Sequence, residues 1–262
     1  MSQDYSNQLN TADNHNGGRL SNKWWMLVVI PAWVTVCFFV AQILLGGIFW
    51  VADTLNIRLE TLSPSILNTI ASVVVYIITI FFVIALPWKF KKIKTNREEV
   101  GLNRLPNWLD ILLAPAGLIS YLALSALLIL LATHILPGFD VNQIQNTGFN
   151  QLSERYQYVL AFATLVVIAP VAEELLFRGY LYGKLKKFVP LWVAVLFTSL
   201  LFGVIHGEWN VMIDTFALSI ILCILRELTG NIWSSILLHM LKNGIAFFIL
   251  FIYPTLFTTL VK

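Results

Sequence analysis

The 262-residue sequence predicts an all-α protein, a polytopic bundle of transmembrane helices. Hydrophobic residues make up 58% of the chain and charged residues only 12%, so most of its length is too apolar for water. A helix needs about 20 mainly apolar residues to cross a bilayer. Seven segments are predicted as spans, at 24–52, 66–88, 109–131, 158–182, 190–206, 211–225 and 232–251. A break near Pro254 would make the count eight.

The chain divides into four parts. Residues 1–22, rich in Asn, Asp, Ser and Gly, are expected to form a disordered cytoplasmic tail, because they cannot bury enough apolar surface to order themselves. Residues 23–88 carry two leading spans, and residues 89–108 form a basic cytoplasmic linker. Residues 109–262 carry the remaining spans, and every polar intramembrane cluster is predicted to lie in this last part.

Basic residues concentrate in alternate connections between the spans. Six of them lie in the linker (Lys89, Lys91, Lys92, Lys94, Arg97 and Arg104), and three follow the fourth span (Lys184, Lys186 and Lys187). The connection 132–157 carries Arg155 alone. The positive-inside rule places the basic connections and the amino terminus in the cytoplasm, for a protein of a cell membrane, expected to be a bacterial plasma membrane. The pattern favours a topology signal over nucleic-acid binding, so the bilayer is the predicted partner.

Two adjacent glutamates lie in the fourth span, in the sequence VVIAPVAEELLFRGYLYG. An ionised carboxylate in lipid costs about 2.5–3.5 kcal/mol on insertion scales, which favours a functional role. Glu174 and Arg178 share a helix face and are predicted to form an ion pair, whose alternative role is to hold helices together. Glu173 points about 100° away and is left free to accept a proton. Pro170 is expected to disturb the helix and open room for water.

Two later spans carry polar residues at the same four-residue spacing. Phe202 and His206 share one face of the fifth span, and His239 and Asn243 share one face of the last. Each pair alone could be a contact between helices, but their occurrence on three spans favours one pocket. At about 1.5 Å per residue, Glu173 and His239 lie roughly 16 and 12 Å from the cytoplasmic ends of their spans, whereas His206 comes out deeper, at roughly 24 Å.

These residue types suit hydrolysis of a carbonyl compound, most naturally a peptide bond. A glutamate can take a proton from water as general base while a histidine orients that water, and a second histidine with an amide such as Asn243 can donate to an oxyanion. Alternatively, Glu173, His206 and His239 can ligate zinc with one position open for water. HExxH and GxSxG motifs are absent from the sequence, and Asp214 is interpreted as isolated.

The motifs EELLFR at 173–178, FxxxH at 202–206 and HxxxN at 239–243 resemble those of the CPBP family, the CAAX-protease and bacteriocin-processing membrane proteins also called Abi. The match covers about residues 169–243. The resemblance implies a helical bundle of usually eight spans around a conical cavity, in a hydrolase of the intramembrane endopeptidase kind. It implies a membrane-associated peptide or protein substrate, with CAAX-type processing of a lipidated peptide as one case.

The resemblance also implies a role for each motif residue. Glu173 would be the catalytic glutamate and work with His206 on the water, while His239 and Asn243 would form the oxyanion site. The preferred interpretation needs no cofactor, because Asn243 is a poor zinc ligand and a good hydrogen-bond donor; Zn²⁺ stays the alternative.

Two further motif residues, Glu174 and Arg178, would support the catalytic residues. Two other functions stay open. The chain could be a non-catalytic bacteriocin self-immunity or membrane scaffold protein that kept the fold. It could also be a transporter that uses Glu173, Lys242 and the histidines as a proton relay.

Overall fold

The computed structural model describes residues 23–141, 147–149 and 152–253, and within them the chain forms eight helices and no strand. The helices are α1 (Met26–Thr54), α2 (Pro64–Lys91), α3 (Arg97–Val100), α4 (Trp108–Ile135), α5 (Arg155–Leu185), α6 (Leu191–Val204), α7 (Trp209–Thr229) and α8 (Trp233–Ile252). Each of the seven predicted spans coincides with one helix, so the all-α class is confirmed. The predicted tail 1–22 and the break near Pro254 lie outside the described residues.

Five of these helices are long and apolar enough to cross a membrane: α1, α2, α4, α5 and α8. The other two predicted spans differ from these five. Helix α6 is apolar but has 14 residues, and α7 has 21 residues that include Asp214, Arg226 and Glu227. The two helices pack closely together, because Gly203 has no side chain to hold α6 away from the Met212 carbonyl of α7. The chain is a multi-pass membrane protein in which α6 and α7 pack on each other.

The basic connections meet at one end of the bundle. The Glu99 carboxylate of α3 lies 2.8 Å from the amino groups of both Lys184 and Lys187. Lys184 belongs to the last turn of α5, and Lys187 follows that helix. Arg226, near the end of α7, donates to the backbone carbonyl of Glu99 at 3.2 Å. The basic connections, which the charge pattern assigns to one side of the membrane, therefore meet at one end of the described bundle.

The same contacts make this end of the bundle sensitive to acid. Burial by itself raises the pKa of Glu99, but the hydrogen bonds and charges of Lys184 and Lys187 outweigh it, so the net pKa lies below the ordinary value. A carboxyl group with a lowered pKa in the folded state stabilises the fold above its unfolded-state pKa. That contribution is lost as the pH falls through the folded-state pKa.

Helix α5 is irregular where it carries the glutamates. Two π-helical segments, Ala163–Ile168 and Leu175–Tyr182, flank the α-helical segment Ala169–Glu174. Pro170 has no N–H and cannot donate to the Leu165 carbonyl five residues earlier, as a π-helix requires. The Asn243 side chain of α8 donates to that carbonyl instead, at 2.9 Å. The disturbance expected at Pro170 thus takes the form of a widened helix with a partner from α8.

Helix α3 approaches α5 at two glycines of α5. A Cβ atom added to Gly183 would lie 2.6 Å from the Glu99 carbonyl oxygen, and one added to Gly179 would lie 2.7 Å from Val100 Cγ1. Backbone oxygen cannot yield as a flexible side chain can. The close approach at Gly183 therefore holds α3, and with it the Glu99 ion pairs, against the end of α5.

We predict that Gly183→Ala displaces α3 and lowers the free energy of unfolding by about 1–3 kcal/mol, the usual cost of overpacking. Denaturant unfolding of the detergent-solubilised protein measures this change. Gly47→Ala is the matched control, because nothing lies within 4 Å of a Cβ atom there. That variant should be neutral or stabilised by up to about 1 kcal/mol. Equal stability of the two variants would contradict the prediction.

Candidate active site

The two adjacent glutamates have different partners, as the sequence predicts. Glu174 is fully buried, and its Oε1 accepts a hydrogen bond from Arg178 Nη1 at 2.9 Å. The Arg178 side chain is also fully buried. The same Glu174 oxygen accepts a second bond, from His239 Nδ1 of α8, at 2.9 Å. Glu174 therefore joins the predicted ion pair and also fixes a histidine.

Glu173 faces a more open position. Its side chain is 17% exposed, and its Oε1 accepts a hydrogen bond from the Tyr76 hydroxyl of α2 at 2.7 Å. Its other oxygen, Oε2, lies 3.8 Å from His239 Nε2. That separation is too long for a direct hydrogen bond, and it is one that a single water molecule can bridge. Glu173 is thus the partly exposed carboxylate of the two, and its Oε2 faces His239 Nε2.

The contact with Glu174 determines which ring nitrogen of His239 faces Glu173. Because a carboxylate accepts only, the ring donates through Nδ1–H and turns Nε2 towards Glu173. A neutral His239 ring would then accept a hydrogen bond at Nε2, whereas a doubly protonated ring would donate one. The neutral form suits a water molecule at that position, and the doubly protonated form suits a water molecule or a substrate carbonyl oxygen.

Phe202 lies at the centre of the site and is fully buried. Its ring centroid is 4.9 Å from that of His206 and 5.8 Å from that of His239, and the Arg178 guanidinium lies over its face at 4.4 Å. Phe202 is predicted only as the residue that shares a face with His206. In the structure it connects α5, α6 and α8.

His206 lies in the turn that follows α6. Its Nδ1 donates to the Phe202 carbonyl at 2.6 Å. The Phe202 ring that contacts the His206 ring also contacts the His239 ring. The greater depth predicted for His206 therefore does not separate it from the other residues, because the turn after α6 brings the ring back against Phe202.

Asn243 binds the backbone of α5 before the glutamates, at Leu165. One N–H of its amide is used by the Leu165 carbonyl, and a primary amide carries two. The second N–H is the one that could serve a substrate oxygen. The oxyanion role of Asn243 stays a prediction.

The predicted zinc ligands do not form a metal site as placed. In residues 23–141, 147–149 and 152–253, no group of three His, Cys, Asp or Glu side chains is arranged to hold a metal ion. Glu173 and His239 face each other, but His206 is not placed with them in a group of this kind. We therefore derive no step through a metal.

The interpretation of Asp214 as isolated is wrong. Its Oδ1 accepts hydrogen bonds from Tyr121 and Ser125 of α4, both at 2.6 Å, and its Oδ2 lies 3.3 Å from Lys242 Nζ of α8. These partners are remote in sequence, so no local spacing reveals them. The contact also gives Lys242, considered above as part of a proton relay, a carboxylate partner.

The expectation that residues 109–262 hold every polar intramembrane cluster is wrong at Tyr76. This side chain belongs to the second leading span and donates to Glu173. A tyrosine in an apolar helix is ordinarily a packing residue, so the sequence gives it little prominence. One signal is present: Thr69 and Tyr76 are seven residues apart, which places two polar side chains on one face of α2.

Comparison with known proteins agrees with the motif pattern. The family model described as "Type II CAAX prenyl endopeptidase Rce1-like" matches residues 155–245, from the start of α5 into α8. The resemblance to the CAAX proteases is confirmed over this segment, and at the level of the family it supports an intramembrane endopeptidase. Tyr76 lies outside it.

Two curated relatives match part of the chain. The protein named "Putative membrane peptidase YdiL" of Bacillus subtilis (strain 168) is 27% identical over 104 residues, which cover 37% of this chain and 43% of the relative. An "Uncharacterized 24.3 kDa protein" of Escherichia coli is 30% identical over 87 residues, 31% of this chain and 40% of the relative. The chain thus matches only about two fifths of the length of these relatives. No solved structure matches the chain.

Removal of the Glu174 charge should be strongly destabilising. Glu174→Gln leaves the buried Arg178 guanidinium without its carboxylate, so we predict a loss of about 3–5 kcal/mol in the free energy of unfolding. Denaturant unfolding in detergent measures the loss. The control is Glu227→Gln, which removes a 39% exposed carboxylate paired with Lys186 and should cost less than about 1 kcal/mol. A Glu174→Gln protein as stable as this control would contradict the prediction.

Proposed function

We propose that the protein is an intramembrane endopeptidase in which Glu173 acts as the general base on a water molecule. The observation that carries the proposal is the opposition of Glu173 Oε2 and His239 Nε2 at 3.8 Å, with the second oxygen of Glu173 already occupied by Tyr76. A carboxylate with one committed oxygen and one free oxygen is a well-oriented base. The family match over residues 155–245 supports the same reaction class.

The reaction begins when Glu173 Oε2 takes a proton from water, which His206 helps to orient through Nε2. The water oxygen bonds to the carbonyl carbon of the scissile peptide, and the carbonyl oxygen becomes an oxyanion. A protonated His239 donates to that oxyanion through Nε2–H, and Asn243 donates through its second amide N–H. The C–N bond then breaks, and Glu173 returns its proton to the leaving nitrogen. The products are a carboxylic acid and an amine, which exchange the remaining proton to give a carboxylate and an ammonium group.

Glu174 and Arg178 act through His239 in this scheme. Glu174 holds the ring at Nδ1 and so directs Nε2 towards the reacting groups. The buried Arg178 binds the same oxygen of Glu174 and holds that carboxylate in place. Each of the two glutamates then has a separate task, the first on the water and the second on the oxyanion site.

The substrate that suits this site is a membrane-associated peptide or protein, with CAAX-type processing of a lipidated peptide as the specific case. An apolar groove of about 490 Å³ lies between α5 and α8, next to Leu165 and Asn243 in sequence. The groove is lined by Phe162, Val166, Leu237, Met240, Leu241, Gly244, Ile245 and Phe248. A lipid chain could lie in such a groove while the attached peptide reaches the site.

The orientation in the membrane is part of the proposal. The basic connections that meet at one end of the bundle belong in the cytoplasm by the positive-inside rule, and the amino terminus belongs with them. The membrane would be a plasma membrane. The opposite end of the bundle, where α6 turns into α7, would then face outwards.

Cleavage of an internally quenched farnesylated CAAX peptide by the purified protein in detergent micelles tests the proposal. We predict that Glu173→Gln and His206→Ala each lower the cleavage rate by about 10²–10⁴-fold, the usual contribution of general acid–base catalysis, without unfolding the protein. Glu227→Gln, at the far end of α7, is the control and should cleave normally. Unchanged turnover in Glu173→Gln would overturn the proposal. Complete lack of cleavage by the unmodified protein would favour the immunity or scaffold alternative.

A second measurement distinguishes the metal-free scheme from zinc. Metal analysis of the purified protein and the same cleavage assay in excess chelator are compared. The proposal predicts full activity in chelator and no stoichiometric metal. Loss of activity in chelator that zinc restores would show that Glu173, His206 and His239 rearrange into a metal site.

A further inference from the structure

We infer that Tyr76, on the second leading helix, is a positioning residue for Glu173 and that the site is incomplete without α2. The inference rests on the proposed role of Glu173 as the base. The contact assigned to Tyr76 is the one with Glu173. It acts by holding one oxygen of the glutamate.

The contact has the geometry of a strong hydrogen bond. The Tyr76 hydroxyl lies 2.7 Å from Glu173 Oε1, a length typical of a hydroxyl that donates to a carboxylate. The terminal torsion of a glutamate is broad, so an unbound carboxylate samples many orientations. The tyrosine removes that freedom and leaves Oε2 directed at His239 Nε2. A base fixed in this way loses less entropy when the transition state forms.

Helix α2 is itself fixed against α5. Thr164 of α5 donates to the hydroxyl of Thr69 at 3.1 Å, and Thr69 lies two turns before Tyr76 on the same face of α2. The ring of Tyr76 also packs against the buried apolar cluster that contains Phe177 and Phe202. Apolar packing and two hydrogen bonds therefore hold α2 on α5 together, and loss of the Thr69 bond alone leaves the packing and the Tyr76 contact in place.

This arrangement places a site residue outside the family match. Residues 155–245 contain all three motifs, and Tyr76 precedes them by about one third of the chain. The leading span α2, which carries none of the three motifs, thus supplies a contact to the proposed base. It follows that the activity of this protein depends on the docking of α2 as well as on the motif residues.

Steady-state kinetics with the farnesylated quenched peptide tests the inference. Tyr76→Phe keeps the ring and its packing and removes only the hydroxyl. We expect kcat to fall roughly ten- to a hundredfold, the range for a hydrogen bond to a charged group, with KM changed less than about twofold. Thr69→Val is the matched control, since it removes the other hydrogen bond between α2 and α5 and does not touch Glu173. It should retain most of kcat.

Infrared difference spectroscopy gives a readout that does not need turnover. The carboxylate band of Glu173 is identified as the band lost in Glu173→Gln. We expect this band to shift in Tyr76→Phe and to stay in place in Thr69→Val. A Tyr76→Phe protein with wild-type kcat, or with an unshifted Glu173 band, would overturn the inference. If Glu173→Gln retains wild-type turnover, the proposed function fails instead, and the infrared band still decides whether Tyr76 holds the carboxylate.

Discussion

The buried ion pair between Glu174 and Arg178 is the interaction on which the site depends. Both side chains are fully buried, and two buried charges are tolerable only when they compensate each other. The pair also fixes His239, because the oxygen that binds Arg178 binds the histidine as well. Glu173, the neighbour of Glu174, is thereby left without a cationic partner of this kind. Its free oxygen is what gives the proposed chemistry a base.

The irregular shape of α5 is the second constraint. A regular α-helix would satisfy its own backbone, but the π-helical segment before Pro170 needs a donor from outside. Asn243 provides it at the Leu165 carbonyl, so a motif residue of α8 is tied to the backbone that precedes the glutamates. Phe202 then fills the space between the helices. The site is therefore held by helix packing and by side-chain hydrogen bonds from α2 and α8.

Local spacing explains which features the sequence could predict. The apolar segments predict the helices because length and composition decide membrane insertion, and the i, i+4 spacing predicts the Glu174–Arg178 pair because one helix contains both residues. Tyr76 and the partners of Asp214 escaped prediction because those contacts join residues about 90 positions apart. Such contacts depend on the rotation of each helix in the bundle, which composition does not determine.

The central claim is that Glu173 activates water and does not itself attack the substrate. A single-turnover cleavage reaction in oxygen-18 water, followed by mass spectrometry of the peptide product and of the protein, tests it most directly. The account predicts one labelled oxygen in the new carboxylate of the product and none in Glu173. Label in the Glu173 side chain, with an unlabelled first product, would contradict it, because that pattern requires a covalent bond between the glutamate and the substrate.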